Sequence, residues 1–396
     1  MEELAINGGT PVREDLLGYG HQVIDDADIA AVVETLKSDY LTCGPKTTEF
    51  ERALEGVVGA KHVVAVSNGT AALHVACLAA GIGEGDEVIV SPITFAASAN
   101  CVRYCGGTPV FADIDPKTWN VDPASIEAHV TSKTKAVVAV DFGGVPIDHA
   151  AIREICDRYG LTFIEDAAHA IGTHGADGRP VGGIADITCF SFHPVKTVTT
   201  GEGGAVATND DDLGTKMELF AKHGITRRPE LMRNGDEGGW YYEQLVLGYN
   251  YRIADIQAAL GVSQLSKLDE FTRIRQEIVA YYNEAFSDVV GVSFQLDTTP
   301  DTTTRHLYVL RFDVERLGTT RRWLFDALRA EGVGTNVHYL PVYRLPYYQD
   351  LGYAYNTCPE ANRYYDEAIT MPLHCAMTLD DAADVVRAVK KVLAAL

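Results

Sequence analysis

Over the first two thirds of the chain, short apolar runs suited to β-strands alternate with amphipathic runs suited to helices. HVVAVS precedes TAALHVACLAAG, EVIVSP precedes FAASANCVRYCG, PVFADI precedes ASIEAHV, AVVAVD precedes HAAIREICDRYG, and LTFIEDA follows. Few folds accept that order. A strand, a helix and a further strand in succession imply parallel pairing with a helical crossover, and a series of such units builds one covered sheet. The sequence therefore reads as α/β, with a large, mostly parallel mixed sheet. The alternation stops at RRPELMRNGDEGGWYYEQLVLG, residues 227 to 248, which is Gly-rich, charged and aromatic without a period and reads as a long loop. From Arg252 to about Phe286 runs one long helical pattern suited to bridging two domains. After it come the strand HLYVLRF, the helix TRRWLFDALRAEG, the strand AITMPL and the closing helix DDAADVVRAVKKVLAAL, a second and smaller α/β unit. The expected division is a larger domain with an N-terminal arm over residues 1–255 and a smaller C-terminal domain over 256–396.

Within this frame the stretch SFHPVKTVTTGEGGAV, residues 191 to 206, sets Lys196 just past an apolar strand and ahead of a glycine turn that feeds GAVAT. A lysine at the end of an interior strand is partly desolvated, which lowers its pKa and makes the amine a nucleophile. Three other strand ends carry matching features. In VSNGTAALHVA the strand ends at Ser67 and a helix starts near Thr70, so the turn at Asn68 and Gly69 offers free N–H groups to an anion. In SPITFAASAN, Phe95 begins the next helix at the sheet edge, where a ring can stack on a ligand. FIEDAAHAIG closes a strand with Glu165, Asp166 and His169, and a buried acid there needs a partner. A pyridinium nitrogen would satisfy Asp166, and His169 could lie over the ring or reach its phenolic oxygen. Strand edge, aromatic, acid and lysine together describe a pyridoxal phosphate site with its phosphate on a helix N-terminus.

The balance of 33 basic against 55 acidic residues, a formal charge of −22 spread along the chain, argues against nucleic acid or an anionic membrane as partner. No run reaches the length of a membrane span and MEELAINGG lacks the features of a signal peptide, so the expected location is the cytoplasm. The eight cysteines sit mostly in apolar periodic segments, as Cys77, Cys156 and Cys189 do. Cys101 and Cys105 share a helix face but lack a second ligand pair, so core packing is preferred to a metal site and no metal is expected.

The motifs LTCGPKTTEFE, SNGTAALHVA, SPITFAASAN, EDAAHAIG, SFHPVKTVTTGEGGAV and GYNYRIADIQAALG resemble those of the DegT/DnrJ/EryC1/StrS sugar aminotransferases. The likeness runs from INGGTPVRE to MPLHCAMT, nearly the whole chain. It implies a pyridoxal 5'-phosphate-dependent transferase of fold type I, aspartate aminotransferase-like, acting as a homodimer. It implies that Lys196 bonds the cofactor, Asp166 pairs with the ring nitrogen, and Gly69, Thr70 and Ser191 hold the phosphate, with Phe95 stacked on the ring. Asn250 of GYNYR would come from the opposite subunit, so that sites are shared. The segments around Lys196 and Asp166 are most similar to the transaminases that make UDP-4-amino-4,6-dideoxy-N-acetyl-β-L-altrosamine for pseudaminic acid. By that likeness Tyr19, the turn Thr42, Cys43 and Gly44, and His338 with Tyr339 line the nucleotide-sugar pocket, with Cys43 where glutamine is frequent.

The expected chemistry has two halves, with L-glutamate giving its amino group to the cofactor and a 4-keto nucleotide sugar taking it up. Lys196 would serve as nucleophile, base and acid. A close carboxylate in sequence would hold its amine charged, which explains why only Glu202 is near, read as a turn residue facing away. A family dehydratase would carry histidine in place of Lys196, and His193, three residues off, reads as a packing or loop residue. A 3-amino product or a GDP- or dTDP-sugar is the rival within the class. A non-catalytic pyridoxal phosphate-binding regulator is the rival outside it.

Overall fold

The computed structural model describes residues 2–235 and 237–396. After a short N-terminal segment come helices α1 (Asp26–Leu36) and α2 (Pro45–Val58). The main sheet then assembles from β1 (His62–Val66), β2 (Glu87–Val90), β3 (Thr108–Phe111), β4 (Thr134–Val140), β5 (Thr162–Asp166), β6 (Ile187–Ser191) and β7 (Gly204–Thr208). Its helices are α3 (Gly69–Ala79), α4 (Ala97–Tyr104), α5 (Pro123–Ala128), α6 (His149–Tyr159) and α7 (Asp211–Ala221). The strand order is β1-β7-β6-β5-β4-β2-β3, parallel from β3 through β6 and antiparallel where β7 meets β6 and β1. This is the mostly parallel sheet that the alternation implies, with the reversed strand β7 making it mixed.

Burial on both faces explains the apolar runs. In β4, Val138 packs into one core with Val90, Ile164 and α3, while Val137 and Ala139 pack into another with Phe163, Ile152 and Cys156. A central strand covered on two sides has no polar face to show. Because β1, β4, β5 and β6 all run the same way, their C-terminal ends meet at one edge. There Val66 and Ser191 both pair with Gly204, the first residue of the reversed strand β7. A Cβ on Gly204 would sit 2.6 Å from the Asn68 carbonyl oxygen, so glycine is what lets the β1–α3 turn close over that edge.

Residues 227 to 248 are mostly loop, as expected, but a two-stranded hairpin forms within and before it, β8 (Ile225–Thr226) with β9 (Glu243–Gln244). The long helix expected from Arg252 to Phe286 is two helices, α8 (Asp255–Leu265) and α9 (Leu268–Phe286). The break has a local cause. The Lys267 ammonium turns back to Asp25 and the buried Asp28, at 2.9 and 2.6 Å, and Gln264 Nε2 donates to the same Asp28 oxygen at 2.7 Å. Helix α8 thereby packs on α1 and α2, and α9 on the last helix, α13 below.

The C-terminal unit is a three-stranded antiparallel sheet of β10 (Val292–Phe294), β11 (Tyr308–Phe312) and β12 (Ala368–Met371), in the order β10-β11-β12. Helices α10 (Arg321–Ala330), α11 (Pro346–Asp350), α12 (Pro359–Glu367) and α13 (Leu379–Leu393) accompany it. Alternate residues of β11 face two cores: Tyr308 and Leu310 join Tyr282 and Val389, whereas Val309 joins Tyr343 and Tyr364 against the main sheet. The segment between β11 and β12 is thus held against the sheet edge where the strands end. Among the described residues no helix is long and apolar enough to cross a membrane.

Candidate active site

The lysine loop is built by its threonines. After β6 the chain turns, with Lys196 N–H donating to the His193 carbonyl at 2.9 Å. Thr199 Oγ1 and the Thr200 N–H both reach the Phe192 carbonyl, at 3.0 Å each, and Thr200 Oγ1 donates to the Glu202 carbonyl at 2.7 Å. Phe192 and Val198 are buried and pin the loop to the core that faces α2. Lys196 is half-buried between these anchors. Desolvation pulls its amine down to about 8, against the opposing attraction of the Asp166 carboxylate.

Asp166 ends β5 and is buried. Its Oδ2 accepts from Ser98 Oγ at 2.6 Å, and Ser98 is in turn 2.6 Å from Thr94 Oγ1. Its Oδ1 accepts the Ala168 N–H at 3.2 Å. Burial raises the carboxyl pKa, and the Ser98 and Ala168 donors and the Lys196 charge oppose that rise. The side chain is thereby held in one orientation with its charge supported from behind.

Opposite the acid stands the tip of α3. Asn68 caps the helix, its Oδ1 taking the Ala71 N–H at 2.8 Å and its carbonyl the Ala72 N–H at 3.1 Å. The Gly69 and Thr70 N–H groups ahead of them keep the spare donors of a helix start. A Cβ on Gly69 would lie 2.8 Å from the Ser191 Cβ, so the glycine brings this tip onto the β6 edge. Spare N–H groups, the Ser191 hydroxyl and the helix dipole make an anion cradle.

The far wall comes from both sheets. His169 Nδ1 accepts the Gly143 N–H at 3.3 Å, which leaves Nε2 to carry the proton, 3.4 Å from the Tyr339 hydroxyl. The His306 ring lies 4.5 Å from the His169 ring, and His338 Nδ1 is 2.8 Å from Thr370 Oγ1. Burial first and then the Lys196 charge hold all three imidazoles below their usual range, His338 at about 3, so this wall is neutral at physiological pH. The same desolvation raises the Tyr339 phenol, which stays protonated. Tyr19 packs against His338 at 5.1 Å between rings, and the exposed Phe95 faces Tyr339 at 6.4 Å. Together these groups enclose a cavity of about 810 Å³.

The profile of the DegT/DnrJ/EryC1/StrS aminotransferase family matches residues 22–390. The chain belongs to that family. It is 43% identical over 383 residues to the spore coat polysaccharide biosynthesis protein SpsC of Bacillus subtilis, covering 96% of this chain and 98% of that protein. Among solved structures it is similar to Helicobacter pylori PseC, an aminotransferase of pseudaminic acid biosynthesis, with a TM-score of 0.87 and 31% identity over 96% of this chain and all of that one. It is equally similar in shape to the putative sugar aminotransferase Spr1654 of Streptococcus pneumoniae in its PLP form, with a TM-score of 0.87 and 29% identity over 96% of this chain and 99% of the other. The protein is thus a PLP-dependent sugar aminotransferase, and its donor set fits the cofactor: an amine with a lowered pKa, a braced carboxylate and a glycine-lined anion cradle on one cavity.

Of the residues singled out from the sequence, Lys196, Asp166, His169, Gly69, Thr70, Phe95, Ser191, Tyr19, His338 and Tyr339 all line the cavity. Thr42, Cys43, Gly44 and Asn250 are not on its wall. They gather elsewhere on the chain around the start of α8: Thr42 bridges Ala254, Gly44 N–H donates to Asp255, and Arg252 reaches both Cys43 Sγ and Asn250 Oδ1. One expectation is corrected. Glu202, read as facing away, lies on the cavity wall, its carbonyl held by Thr200 and Gln257. His193 is a loop residue, one of the two readings the sequence allowed, and stands exposed on the same wall. Sequence reasoning missed Ser98, His74, Tyr251 and His306. A signal existed only for Ser98, whose spacing of four from Thr94 puts two hydroxyls on one face of a turn entering the site.

Proposed function

We propose that the protein transfers the amino group of L-glutamate to C4 of a UDP-linked 4-keto-6-deoxy-N-acetyl hexosamine, giving UDP-4-amino-4,6-dideoxy-N-acetyl-β-L-altrosamine for pseudaminic acid biosynthesis. The observation that carries this reading is the single cavity in which Lys196, Asp166 and the α3 tip face the neutral wall of His169, His338 and Tyr339. Its volume of about 810 Å³ lies toward the upper end of small-molecule sites, which leaves room for a second ligand beside a cofactor. The similarity to PseC supports the choice of sugar.

Pyridoxal phosphate, when bound, supplies the electron sink and carries the amino group between the two substrates. In this reading Lys196 Nζ would hold the cofactor at rest, take the proton from the donor Cα, and in the second half deliver a proton to sugar C4. Asp166 would hold the proton on the ring nitrogen, and Ser98 with the Ala168 N–H fixes Asp166. Gly69, Thr70 and Ser191 bind the phosphate. Phe95 would stack on the ring, His169 would lie over it or reach its phenolic oxygen, and Tyr19, His338 and Tyr339 would position the sugar.

Charge supports a shared site. Among the described residues, Lys196 is the sole lysine or arginine on the cavity wall, while a cofactor phosphate and a nucleotide diphosphate each bring negative charge. The exposed Arg252, tied to Asn250 and Cys43, offers the missing cation. We read the Thr42–Gly44 turn and Asn250 as reaching the partner subunit's cavity in a cytoplasmic homodimer.

The test is an amination assay with L-glutamate, pyridoxal phosphate and the UDP-4-keto-6-deoxy-N-acetyl hexosamines of the L-arabino and D-xylo forms, with products identified by mass and NMR. Amination of the L-arabino sugar is expected. Turnover of the D-xylo sugar alone would keep the chemistry and overturn the product. Turnover of neither sugar would redirect the assignment to GDP- or dTDP-linked substrates.

A further inference from the structure

Behind the strand that carries Asp166, three titratable side chains are buried together. Successive residues of β5 face opposite sides of the sheet. Ile164 belongs to the core under α3 and α4, and Asp166 follows it to the cavity side. Phe163 belongs to the core under α6, and Glu165 follows it to that side. There Glu165 meets Asp141, from the end of β4, and His149, the first residue of α6; ligand atoms of the three lie within 4.8 Å of one another. Asp141 and Glu165 are fully buried and His149 nearly so.

A metal ion does not suit this cluster. His149 Nε2 is in direct hydrogen-bond contact with Glu165 Oε1, whereas two ligands of one tetrahedral ion stand about 3.3 Å apart. A proton lies between them. Glu165 Oε2 accepts from Thr188 Oγ1 at 2.9 Å, and Asp141 Oδ1 accepts the Ile147 N–H at 2.9 Å. Asp141 Oδ2 is left buried with no partner. An ionised oxygen in that position would be costly, while a protonated one becomes a donor aimed at Glu165.

We infer that Asp141 carries a proton at neutral pH and that Asp141, His149 and Thr188 together hold Glu165 as a lone buried carboxylate behind Asp166, a positioning network that keeps negative potential on the cofactor's ring nitrogen. Burial, and then the Glu165 charge, push the Asp141 carboxyl well above the usual carboxylate range. The groups facing Asp141 are Glu165 and Asp166 from β5 and His149 from α6, while the neutral Thr188 from β6 faces Glu165 and Asp177 interacts with His149. Three donors converge on Glu165, and its charge adds to the rise in the Asp166 pKa. The same potential raises the proton affinity of whatever base Asp166 faces.

The inference rests on the reading that Asp166 meets the ring nitrogen, and two measurements separate the parts. Infrared spectra of the apoprotein, carrying 13C in its aspartate carboxyls at pH 8, should contain an isotope-shifted carboxylic acid band that Asp141→Asn removes. Its absence from the wild-type protein would overturn the network whatever the cofactor does. In holoenzyme carrying ring-15N pyridoxal phosphate, the nitrogen should be protonated in the wild type, and Glu165→Gln should lower its proton affinity about tenfold, one pKa unit. If that variant does not fold, Thr188→Val removes one donor from Glu165 and should move the 15N signal in the same direction. A signal that moves in Asp166→Asn but in neither Glu165→Gln nor Thr188→Val overturns the role of the network. A signal unmoved in Asp166→Asn overturns the coupling together with the Asp166 reading, and leaves the infrared result standing by itself.

Discussion

Replacing Ser98 with alanine removes the 2.6 Å hydrogen bond to Asp166 Oδ2 and puts nothing in its place, since Thr94 Oγ1 bonds Ser98 rather than the acid. A hydrogen bond to a buried charged group contributes about 1.5–3 kcal/mol, so the native pKa of Asp166, already raised by burial, should climb by about one to two further units. The sign follows from linkage. A carboxyl whose native pKa lies above its unfolded value of about 3.9 costs nothing below that value, and the cost grows as pH rises through it toward the native pKa. In the variant this cost is larger, so the loss of stability should be greatest at alkaline pH. Below pH 4, where Asp166 is protonated in both states, only a neutral bond of about 0.5–1.5 kcal/mol is lost. A chain of 396 residues unfolds with an entropy of about 0.8 kcal/mol/K. The expected drop in Tm is therefore about 2–4 °C at pH 8 and about half that at pH 4. Calorimetry of the apoproteins at equal concentration measures both. Equal shifts at the two pH values, or none at pH 8, would show that Ser98 does not support a charged Asp166.

Because burial brings the Lys196 amine down to about 8, and only the neutral amine attacks a carbonyl, cofactor association with the apoprotein should rise about tenfold per pH unit below that value and level off above it. Stopped-flow absorbance reads this directly, and a rate that is flat from pH 6.5 to 9 contradicts the assignment. Mixing Lys196→Ala and Asn250→Ala chains, each inactive alone, should restore about a quarter of wild-type activity, because half the dimers are mixed and each of those holds one intact site. No restoration under conditions that exchange subunits would place Asn250 outside a shared site.

How far the sequence alone reaches is seen by comparing Asp166 with Ser98. Asp166, Lys196, Gly69 and Phe95 are legible because each punctuates a strand end, and parallel strands deliver their C-terminal ends to one edge. Ser98 sits in FAASAN among alanines, where its spacing of four from Thr94 is the one hint; its bond to Asp166 forms because the sheet brings α4 over the end of β5. His306 is further out of reach, since it precedes a strand of the smaller sheet and meets His169 only through the packing of one unit on the other. The break at Lys267 depends on an acid some 240 residues earlier in the chain, Asp28, which periodicity within a helix cannot show. Glu202 failed for a related reason, since its carbonyl is held by Gln257 of α8.

The account turns on Lys196, and its most direct test is to reduce the holoenzyme with borohydride and map the modified peptide by mass spectrometry. The pyridoxyl group should be found on Lys196 alone, and Lys196→Ala should bind the cofactor without covalent capture. Capture on any other lysine would contradict the site described here.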